Sequence, residues 1–488
     1  MKVLLVFSPS LLINPDQVLA SNMSPPLGIL YIASYLRAKL PDIDVKVIDG
    51  CKIGYKNTIA RIKQFNPDVL GISFYTTLAA GAFKLAREIK ENFPSILVVM
   101  GGPHATALPE DTLQQSKADI VVVGEGEETF YQIIRIKREA NGNDRYKHLL
   151  GVWYSERNYH NVCIYKNQPA KFIDSLDGIP FPAFDLIDLH SYTGYYLSKQ
   201  RPEAPMFFAR GCPYHCTFCS NVVWKSSTPA LRLRSPKNIV DEMEYLKTTF
   251  GIKEVFDQSD EFNNNYKHAL EVCREMKKRK LGMTWKAQLR ARPFSDELAR
   301  EMAEAGCWYV HLGIESGNQE TIDGTNKFIK LKDVENTCNL LKRYNIRVLA
   351  LFMIYNVWEQ DGNLRFENSE MCLNTFRYAC KLIKNKLVDY VGWSVTTPYP
   401  GSKLYNIALR NNLIKPELIA RWDVWQRQEI FTMNLPNISR REQAITKLKG
   451  ELLKFIIIMK SGGFKLEDLP FLAKRATFNL MQVVGRRR

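Results

Sequence analysis

Apolar runs rich in β-branched residues alternate with amphipathic segments through residues 1–140 of this chain. Between the runs lie helical patterns such as LGILYIASYLRAKL (27–40) and GAFKLAREIKENF (81–93). Strands that are apolar throughout need cover on both faces, so the alternation predicts a parallel sheet between two helical layers. We therefore predict an α/β fold whose first domain, residues 1–140, is Rossmann-like and doubly wound. The predicted strands are KVLLVF (2–7), DVKVID (44–49), DVLGISF (68–74), SILVVMGG (95–102) and ADIVVVGEG (118–126).

The loops that follow three of these strands are candidates for ligand binding. In a doubly wound sheet the ligand crevice lies beyond the carboxyl ends of the strands. The loops there are SFYTT (73–77), GGPHAT (101–106) and GEGEET (124–129), rich in Gly, Ser and Thr. Such residues allow the backbone to approach a ligand closely.

A second series of strand and helix patterns fills residues 201–425. Its six uninterrupted units predict a partial barrel of the (β/α)6 type. Residues 141–200 are less regular, and the prolines of 175–192 indicate a linker. Residues 426–488 have helical, basic patterns. The strand regions of the second series are PMFFARG, EVFDQSDEF, TWKAQLRA, WYVHLGIESG, RVLALFMIY and YVGWSVTTPYPGS.

Three cysteines, Cys212, Cys216 and Cys219, follow the first strand of this second series. Thiolates bind soft metals, which include zinc and iron–sulfur clusters. A structural zinc site is closed by four ligands, usually in two separated pairs, and the sequence contains no second pair. A [4Fe–4S] cluster tolerates three protein thiolates when its fourth iron stays open for chemistry. The trio therefore favours a catalytic cluster over structural zinc or chance spacing.

The spacing Cys-x₃-Cys-x₂-Cys, with Phe218 before the last cysteine, resembles the radical S-adenosylmethionine (SAM) superfamily. The segments FDQSDEFNNN (256–265), LGIESGNQE (312–320) and PYPGSKLY (398–405) resemble further motifs of that superfamily. The resemblance implies that the trio holds three irons of a [4Fe–4S] cluster and that SAM binds the fourth. It also implies that one-electron reduction cleaves SAM to a 5′-deoxyadenosyl radical. The candidate SAM-binding residues are Phe218, Asp257, Asp260, Glu261, Arg290, Glu315 and Ser316.

Several of these residues also have a simpler interpretation. Each of the acids at 257, 260 and 261 is equally well explained as a helix cap or a solvated side chain. Glu315 lies in an apolar strand, where a buried carboxylate needs a partner. Arg290 meets either the ligand carboxylate or Glu315.

The segment FMIYNVWEQDGNLRFEN (352–368) departs from the superfamily pattern, because a Gly-Leu-Pro-Gly-Glu-Thr turn is common at this position in relatives. Tyr355 and Trp358 stand in place of the tight glycine turn. A loop at this point borders the substrate, so both residues are substrate-side candidates. No particular substrate can be transferred from the resemblance.

The first domain resembles the cobalamin-binding module that precedes many radical enzymes. The segments that carry the resemblance are 25–37, 66–77, 98–111 and 121–130, in the expected order. The motif Asp-x-His-x-x-Gly is absent, so we expect cobalt without a protein histidine ligand. His104 is then a pocket residue, or alternatively a histidine that caps its loop. The candidate cobalamin-binding residues are Ser73, Thr76, Thr77, Gly101, Gly102, His104, Gly124, Glu125 and Gly126.

These resemblances imply an enzyme with a [4Fe–4S] cluster, SAM and cobalamin as cofactors. The leading hypothesis is methylation of an unactivated carbon through methylcobalamin. One alternative is cyclisation, rearrangement or oxidation with the same cofactors, and a remote alternative is a cobalamin- or cluster-binding sensor. The implied partners are a small-molecule or lipid substrate and an external one-electron reductant of flavodoxin or ferredoxin type.

The formal net charge of +16 is concentrated at the C-terminus, where residues 439–488 hold twelve Lys or Arg against four Asp or Glu. The apolar spacing in 469–488 predicts a basic amphipathic helix, which either lies on an anionic membrane or packs on the protein. No nucleic-acid module accompanies the charge, so nucleic-acid binding is not expected. The N-terminal sequence is typical of a strand and not of a signal peptide, so we expect a cytoplasmic location. The basic C-terminus leaves peripheral contact with the inner face of the membrane as an option.

The seven cysteines outside the trio are scattered. In a cytoplasmic setting disulfides are not expected. Free cysteine behaves as a small hydrophobic residue and is often buried. We therefore interpret all seven as small buried side chains. They are Cys51, Cys163, Cys273, Cys307, Cys338, Cys372 and Cys380.

Overall fold

Two sheets of parallel strands form the framework of the residues that the structure describes. The structure is a computed structural model. It describes residues 1–11, 24–139, 146–157, 162–192, 197–425 and 433–460.

The first sheet confirms the predicted doubly wound arrangement. Its strands are Lys2–Phe7 (β1), Asp44–Asp49 (β2), Val69–Ser73 (β3), Leu97–Gly101 (β4), Ile120–Val122 (β5), Val152–Arg157 (β6) and Val162–Lys166 (β7). The spatial order is β2–β1–β3–β4–β5–β6–β7, and β1 to β5 pair in parallel. The interior strands β3 and β4 are buried along nearly their whole length, which explains their continuous apolar sequences.

Helices cover this sheet, and their bounds follow the sequence pattern closely. The segment 27–40 forms a helix that ends at Lys39, and residues 81–92 lie in one that begins at Ala79 and ends at Asn92. The helices of this part are Leu27–Lys39 (α1), Gly50–Ile53 (α2), Tyr55–Phe65 (α3), Ala79–Asn92 (α4), Pro103–Ala107 (α5), Pro109–Ser116 (α6) and Glu127–Glu139 (α7).

Strands β6 and β7 differ from the prediction, which placed residues 141–200 in a linker. They pair antiparallel and extend the first sheet beyond β5. The first four residues of β6, VWYS (152–155), alternate buried and partly exposed positions, as a strand does when one face meets water. This alternation is weaker than the continuous apolar runs of β1 to β5, and the sequence analysis missed it.

The second sheet is built from strand and helix units in chain order. Its parallel strands are Glu203–Met206 (β8), Glu254–Asp257 (β11), Thr284–Leu289 (β12), Cys307–Glu315 (β13), Arg347–Ile354 (β14) and Tyr390–Val395 (β17). The spatial order β17–β14–β13–β12–β11–β8 follows the chain, as in the predicted partial barrel. Short antiparallel ribbons join Ala209–Gly211 (β9) to Leu231–Leu233 (β10) and Val357–Gln360 (β15) to Asn363–Phe366 (β16).

Several helices of the second part begin at a side chain that accepts a hydrogen bond from the helix backbone. These capping residues are Ser235, Asn265, Ser295, Asn368 and Ser402. Each such cap stabilises its helix by about 1 kcal/mol. The helices are Pro236–Phe250 (α8), Tyr266–Arg279 (α9), Asp296–Glu304 (α10), Gln319–Gly324 (α11), Leu331–Arg343 (α12), Ser369–Lys384 (α13), Lys403–Arg410 (α14), Pro416–Ile419 (α15) and Arg440–Lys460 (α16).

The two sheets share apolar cores, which fix their loops relative to each other. One core joins Leu30 and Tyr31 of α1 to the second sheet and to α8. Another joins β3 and α4 of the first domain to Trp422 and Trp425, which follow the second sheet in the chain. The loops beyond the carboxyl ends of both sheets are therefore held against one another.

No helix in the described part of the chain has the length and apolar character that crossing a bilayer requires. The predicted basic amphipathic helix over 469–488 lies outside the described residues.

Candidate active site between the two sheets

The three cysteines lie in the loop between β9 and β10, residues 212–230, which we call the cysteine loop. Cys212, Cys216 and Cys219 are each half-buried. Burial raises the pKa of Cys212 to about 12 and that of Cys219 to about 11. Thiols with such pKa values release their protons when they bind a metal.

The arrangement of donors argues against a site for a single metal ion. Among the residues described, no three His, Cys, Asp or Glu side chains converge closely enough to hold one ion. In a [4Fe–4S] cluster each thiolate binds a different iron, so the sulfur atoms need not converge. Three thiolates in one loop are the ligand set that a cluster would use, and the assignment of these cysteines stays a prediction.

The cysteine loop is held in place by segments that follow two other strands of the second sheet. The Thr217 amide donates to the Thr325 carbonyl at 2.9 Å, and the Thr217 carbonyl accepts from the Leu404 amide at 2.8 Å. Ser220 Oγ donates to the Pro400 carbonyl at 2.6 Å. The PYPGS turn at 398–402, which belongs to one of the motifs recognised in the sequence, thus supports the cysteine loop. Phe218, predicted at the SAM site, is half-buried and packs against the core of the first sheet.

Four charged side chains form a buried network beside Cys216. Arg290 Nη1 lies 3.3 Å from Glu261 Oε1 and 4.0 Å from Cys216 Sγ. Lys327 Nζ lies 3.0 Å from Glu315 Oε1 and 3.5 Å from Glu261 Oε1. Their side chains are at most 14% exposed. Arg290 therefore pairs with Glu261, and Glu315 takes Lys327 as its partner instead of Arg290.

Two atoms of this network have no hydrogen-bond partner among the described residues. They are Arg290 Nη2, a donor, and Glu261 Oε2, an acceptor, and both are buried. A buried polar atom that stays unpaired is costly, so such atoms are rare in native structures unless a ligand satisfies them. The ring of Tyr214, from the cysteine loop, stacks over the Arg290 guanidinium at 3.7 Å and orients it.

Glu315 adopts a backbone conformation that L-residues rarely take, with φ at +73°. The register of β13 against β14 shifts between Gly313 and Glu315 at the same point. A Cβ on Gly313 would lie 2.7 Å from Glu315 Oε1 and 3.0 Å from Lys327 Nζ, so a larger residue there would displace these two charged groups. Strain of this kind costs about 1–3 kcal/mol and is concentrated at functional sites.

Asp257 and Asp260 support the loops around the site. Asp257 Oδ1 accepts from the Phe208 amide at 3.2 Å and the Ser259 amide at 2.9 Å. Asp260 Oδ2 accepts from Asn221 Nδ2 of the cysteine loop at 2.7 Å. Burial raises the pKa of each carboxyl to about 6. Asp257 Oδ2 has no partner among the described residues and lines a small cavity.

We expect the replacement Asp257→Asn to flatten the pH dependence of stability. The folded-state pKa of Asp257, about 6, lies above its ordinary value of 3.8. The protonated carboxyl of Asp257 therefore stabilises the folded state by about 3 kcal/mol below about pH 4. This stabilisation is lost as the pH rises through 6. Denaturant unfolding of the cofactor-free protein between pH 4 and 7 measures this slope. A slope equal to that of wild type would contradict the assignment.

Ser316 lies in a buried network and not on an open surface. Its Oγ donates to Glu367 Oε1 at 2.6 Å. Glu367 is fully buried and also accepts from the Asn356 amide and from Asn356 Nδ2, each at 3.0 Å. Burial raises the pKa of Glu367. In this structure Ser316 binds the segment after β16, and its contact with SAM stays a prediction.

Tyr355 and Trp358 are buried, in contrast to their predicted place beside the substrate. Each is 1% exposed. The segment that departs from the superfamily pattern forms the β15–β16 ribbon, and Tyr355 precedes it with φ at +60°. The Tyr355 hydroxyl lies 3.2 Å from Ser369 Oγ. Trp358 packs on Gly324, so closely that a Cβ there would lie 2.3 Å from the ring. Trp358 therefore supports the helix end that precedes Lys327, whereas Tyr355 contacts the start of α13.

The loops predicted to bind cobalamin meet at the carboxyl edge of the first sheet. The Phe74 amide donates to the Gly101 carbonyl at 3.3 Å, and the Gly124 amide donates to Thr106 Oγ1 at 3.1 Å. Gly102 and Gly124 have φ values of +96° and +94°. A Cβ on Gly102 would lie 2.9 Å from Ser73 Oγ, so this edge presents bare backbone where the loops meet.

His104 is a core residue of this region. It is fully buried, its ring centroid lies 4.5 Å from that of Trp422, and its Nδ1 lies 3.1 Å from Thr76 Oγ1. Burial lowers the pKa of His104 to about 3, so the ring is neutral. Trp422 is far away in the chain, so the sequence did not show that it covers the predicted pocket residue. Thr76 is buried with His104, whereas Thr77 is partly exposed.

The GEGE segment faces the second domain. Glu125 forms ion pairs with Arg210 and Arg232, and its side chain is 6% exposed. Gly126 packs on Ile32 of α1, where a Cβ would lie 2.6 Å from Cδ1. Glu125 was predicted to bind cobalamin, but both of its oxygens are paired with arginine in this structure.

Comparisons with known proteins agree with the arrangement of the two sheets. Residues 19–134 match the B12 binding domain, and residues 206–361 match the radical SAM superfamily. The chain is 31% identical to the uncharacterized methyltransferase PH0819 of Pyrococcus horikoshii, over 85% of this chain and 84% of that protein. The chain belongs to the family of radical SAM enzymes with a B12-binding domain. Its family-level function is cobalamin-dependent radical SAM methylation.

Other relatives are consistent with this membership. The cytidylyl-2-hydroxyethylphosphonate methyltransferase of Streptomyces wedmorensis is 28% identical over 90% of this chain and 91% of its own. The cobalamin-dependent radical enzyme OxsB has the same fold, with a TM-score of 0.70 and 16% identity over 99% of this chain and 71% of OxsB. The methyltransferase TsrM of Kitasatospora setae matches with a TM-score of 0.64 and 16% identity over 96% of this chain and 89% of TsrM.

The residues at the site fit the cofactors of this family, which are a [4Fe–4S] cluster, SAM and cobalamin. Cys212, Cys216 and Cys219 would hold the cluster. The unpaired atoms of Arg290 and Glu261 would receive the carboxylate and the ammonium group of SAM. The glycine-rich edge of the first sheet would receive cobalamin. When bound, these groups supply reductive cleavage of SAM and a carrier for the methyl group.

Sequence reasoning missed Lys327, Arg210 and Arg232. Lys327 stands in GTNKF, which carries no strong pattern of its own, and its partners come from two other strand ends. Arg210 directly precedes the Gly-Cys of the trio, and this position was the available signal.

Proposed function

We propose that this enzyme transfers a methyl group from cobalamin to an unactivated carbon of a small-molecule substrate. The observation that carries the proposal is the contact between the two cofactor regions. A Cβ on Gly401 would lie 1.9 Å from Val222 of the cysteine loop and 3.3 Å from Ala107 of α5. A Cβ on Gly124 would lie 2.7 Å from Ser226 Oγ. The cysteine loop and the cobalamin edge thus share one interface, where binding sites commonly form.

The chain's own residues supply binding and orientation in this proposal. The Arg290, Glu261, Lys327 and Glu315 network balances two cations against two carboxylates, so the amino-acid end of SAM, itself one ammonium and one carboxylate, would add no net charge there. The names of its relatives include substrates as different as a nucleotidyl phosphonate and a hopanoid, so they support a reaction type and leave the substrate open. We propose an external one-electron reductant of flavodoxin or ferredoxin type and a cytoplasmic location.

The test supplies anaerobically reconstituted holoenzyme with SAM carrying an isotope-labelled methyl group, a chemical reductant and an extract of small molecules. We expect the label to appear in a small molecule in which one hydrogen has been replaced by the labelled methyl group. We also expect both S-adenosylhomocysteine and 5′-deoxyadenosine, because one SAM recharges cobalamin and a second is reductively cleaved.

A different outcome would replace the proposal with its alternative. Some relatives are named anaerobic magnesium-protoporphyrin IX monomethyl ester cyclases, one of them 27% identical over 78% of this chain and 66% of its own. If 5′-deoxyadenosine forms with a substrate present while the label enters no product, methylation is wrong and cyclisation or oxidation takes its place.

A further inference from the structure

The base of the cysteine loop is closed by the β9–β10 ribbon, in which two arginines stand opposite each other. The paired residues are Gly211 with Leu231, Arg210 with Arg232 and Ala209 with Leu233. Arg210 lies two positions before Cys212. Any force that moves this arginine pair therefore moves the start of the loop that would carry the cluster.

Both arginines bind one carboxylate of the first domain. Arg210 Nη1 lies 2.8 Å and Arg232 Nη2 lies 2.6 Å from Glu125 Oε1. Arg232 Nη1 lies 3.0 Å from Glu125 Oε2, so this second contact is bidentate. Arg210 Nη2 also lies 2.6 Å from Glu127 Oε1. We call Glu125, Glu127, Arg210 and Arg232 the interdomain latch.

The latch is buried and balanced in charge, with two cations against two carboxylates. Its side chains are 4–6% exposed. Aromatic rings fix the guanidinium groups: Arg210 lies between Tyr31 at 4.9 Å and Trp224 at 5.2 Å, and Arg232 lies over Phe172 at 4.1 Å. Buried ion pairs add little net stability over apolar replacements, but their geometry is specific and the loss of one partner is costly.

The first-domain end of the latch belongs to the cobalamin edge. Glu125 follows Gly124, whose amide donates to Thr106 in the neighbouring loop of that edge. A Cβ on Gly124 would also meet Ser226 of the cysteine loop at 2.7 Å. The latch thus joins one loop of the predicted cobalamin site to the first residues of the predicted cluster site through the planar guanidinium groups of Arg210 and Arg232.

We propose that the interdomain latch sets the position of cobalt relative to the cluster, with Glu125 and Arg210 as positioning residues. The inference deepens the proposed function and rests on it, since it concerns two cofactors that must act on one substrate. Glu125→Gln keeps the shape of the side chain but removes the charge that both arginines share. A displacement of about 1 Å between reacting groups can lower a rate about 100-fold.

The experiment uses holoenzyme with the cluster reduced and the cobalamin as cob(II)alamin. Pulsed electron paramagnetic resonance then measures the dipolar coupling between the two paramagnetic centres, with no substrate present. In Glu125→Gln we expect a shifted or broadened distance distribution, while iron and cobalamin contents stay at wild-type values. With substrate, we expect 5′-deoxyadenosine formation near the wild-type rate but methylated product lowered by about 10- to 100-fold.

Further variants keep the test decisive. Arg210→Lys retains a positive charge but loses the fork that spans Glu125 and Glu127, so it should shift the distance if Glu125→Gln does not fold. Arg37→Gln is the matched control, because Arg37 pairs with Asp185 at 2.7 Å with both side chains nearly half exposed. A wild-type distance distribution in both latch variants would overturn the proposal. Because the distance is measured without substrate, a failure of methyl transfer in the wild type would leave this result interpretable.

Discussion

Cys216→Ala should lower the rate of 5′-deoxyadenosine formation by at least about 100-fold, because a cluster with two remaining protein thiolates cannot be held at the site. Cys216, one of the three proposed cluster ligands, lies beside the charged network, with its Sγ 4.0 Å from Arg290 Nη1. Anaerobic reconstitution followed by measurement of iron content and of 5′-deoxyadenosine checks the prediction. We expect the iron content to fall together with the rate, since both depend on the same thiolate.

Cys163→Ser is the matched control for this experiment. Cys163 lies on β7 and is exposed, so its interpretation as a small buried side chain was wrong. Its replacement should leave both the iron content and the rate unchanged. Wild-type iron content and rate in Cys216→Ala would show that the trio does not hold the cluster, and the proposed mechanism would fail with it.

The features that the sequence predicted well are those that a short segment determines by itself. The apolar strands β1, β3, β4 and β5 and the helices between them were recognisable because both faces of an interior strand must be buried. The spacing of the cysteine trio is likewise a local signal. The amphipathic strands β6 and β7 were missed, because alternation over five or six residues is a weak pattern and prolines nearby indicated a linker.

The features that the sequence could not predict depend on residues that meet only in the folded protein. Arg290 was expected to bind a ligand or Glu315, but Lys327 occupies Glu315 and leaves Arg290 to Glu261. Charged residues in a sequence are usually interpreted as solvated surface residues, whereas Arg290 and Lys327 are buried in the folded protein. Glu125 shows the same limit, because its partners on the β9–β10 ribbon are distant in the chain.

Lys327→Met should reduce the free energy of unfolding of the cofactor-free protein by about 3–5 kcal/mol, because it leaves the Glu315 carboxylate without its cation. Burial disfavours the charge on Lys327, but the carboxylates of Glu315 and Glu261 more than offset this and raise its pKa. Methionine keeps the apolar length of the side chain, so the lost charge and not a cavity accounts for the change. Denaturant-induced unfolding followed by circular dichroism measures it.

Lys330→Met is the matched control, three residues further along the same segment. Lys330 lies 3.1 Å from Asp323, but the two side chains are 60% and 50% exposed. Such exposed pairs contribute about 0–1 kcal/mol, so this variant should remain close to wild type. Equal losses in the two variants would contradict a special role for the cation at 327.

The double variant Lys327→Met/Glu315→Gln separates the charge from the packing. If an unpaired carboxylate causes the loss, removal of the Glu315 charge should restore part of the stability, and the double variant should be more stable than Lys327→Met alone. Glu261 keeps Arg290 as a cation in this variant, so it is not left unpaired. If the two losses simply add, Lys327 contributes through packing, and the balance of charges beside Cys216 is not what holds the strained turn at Glu315.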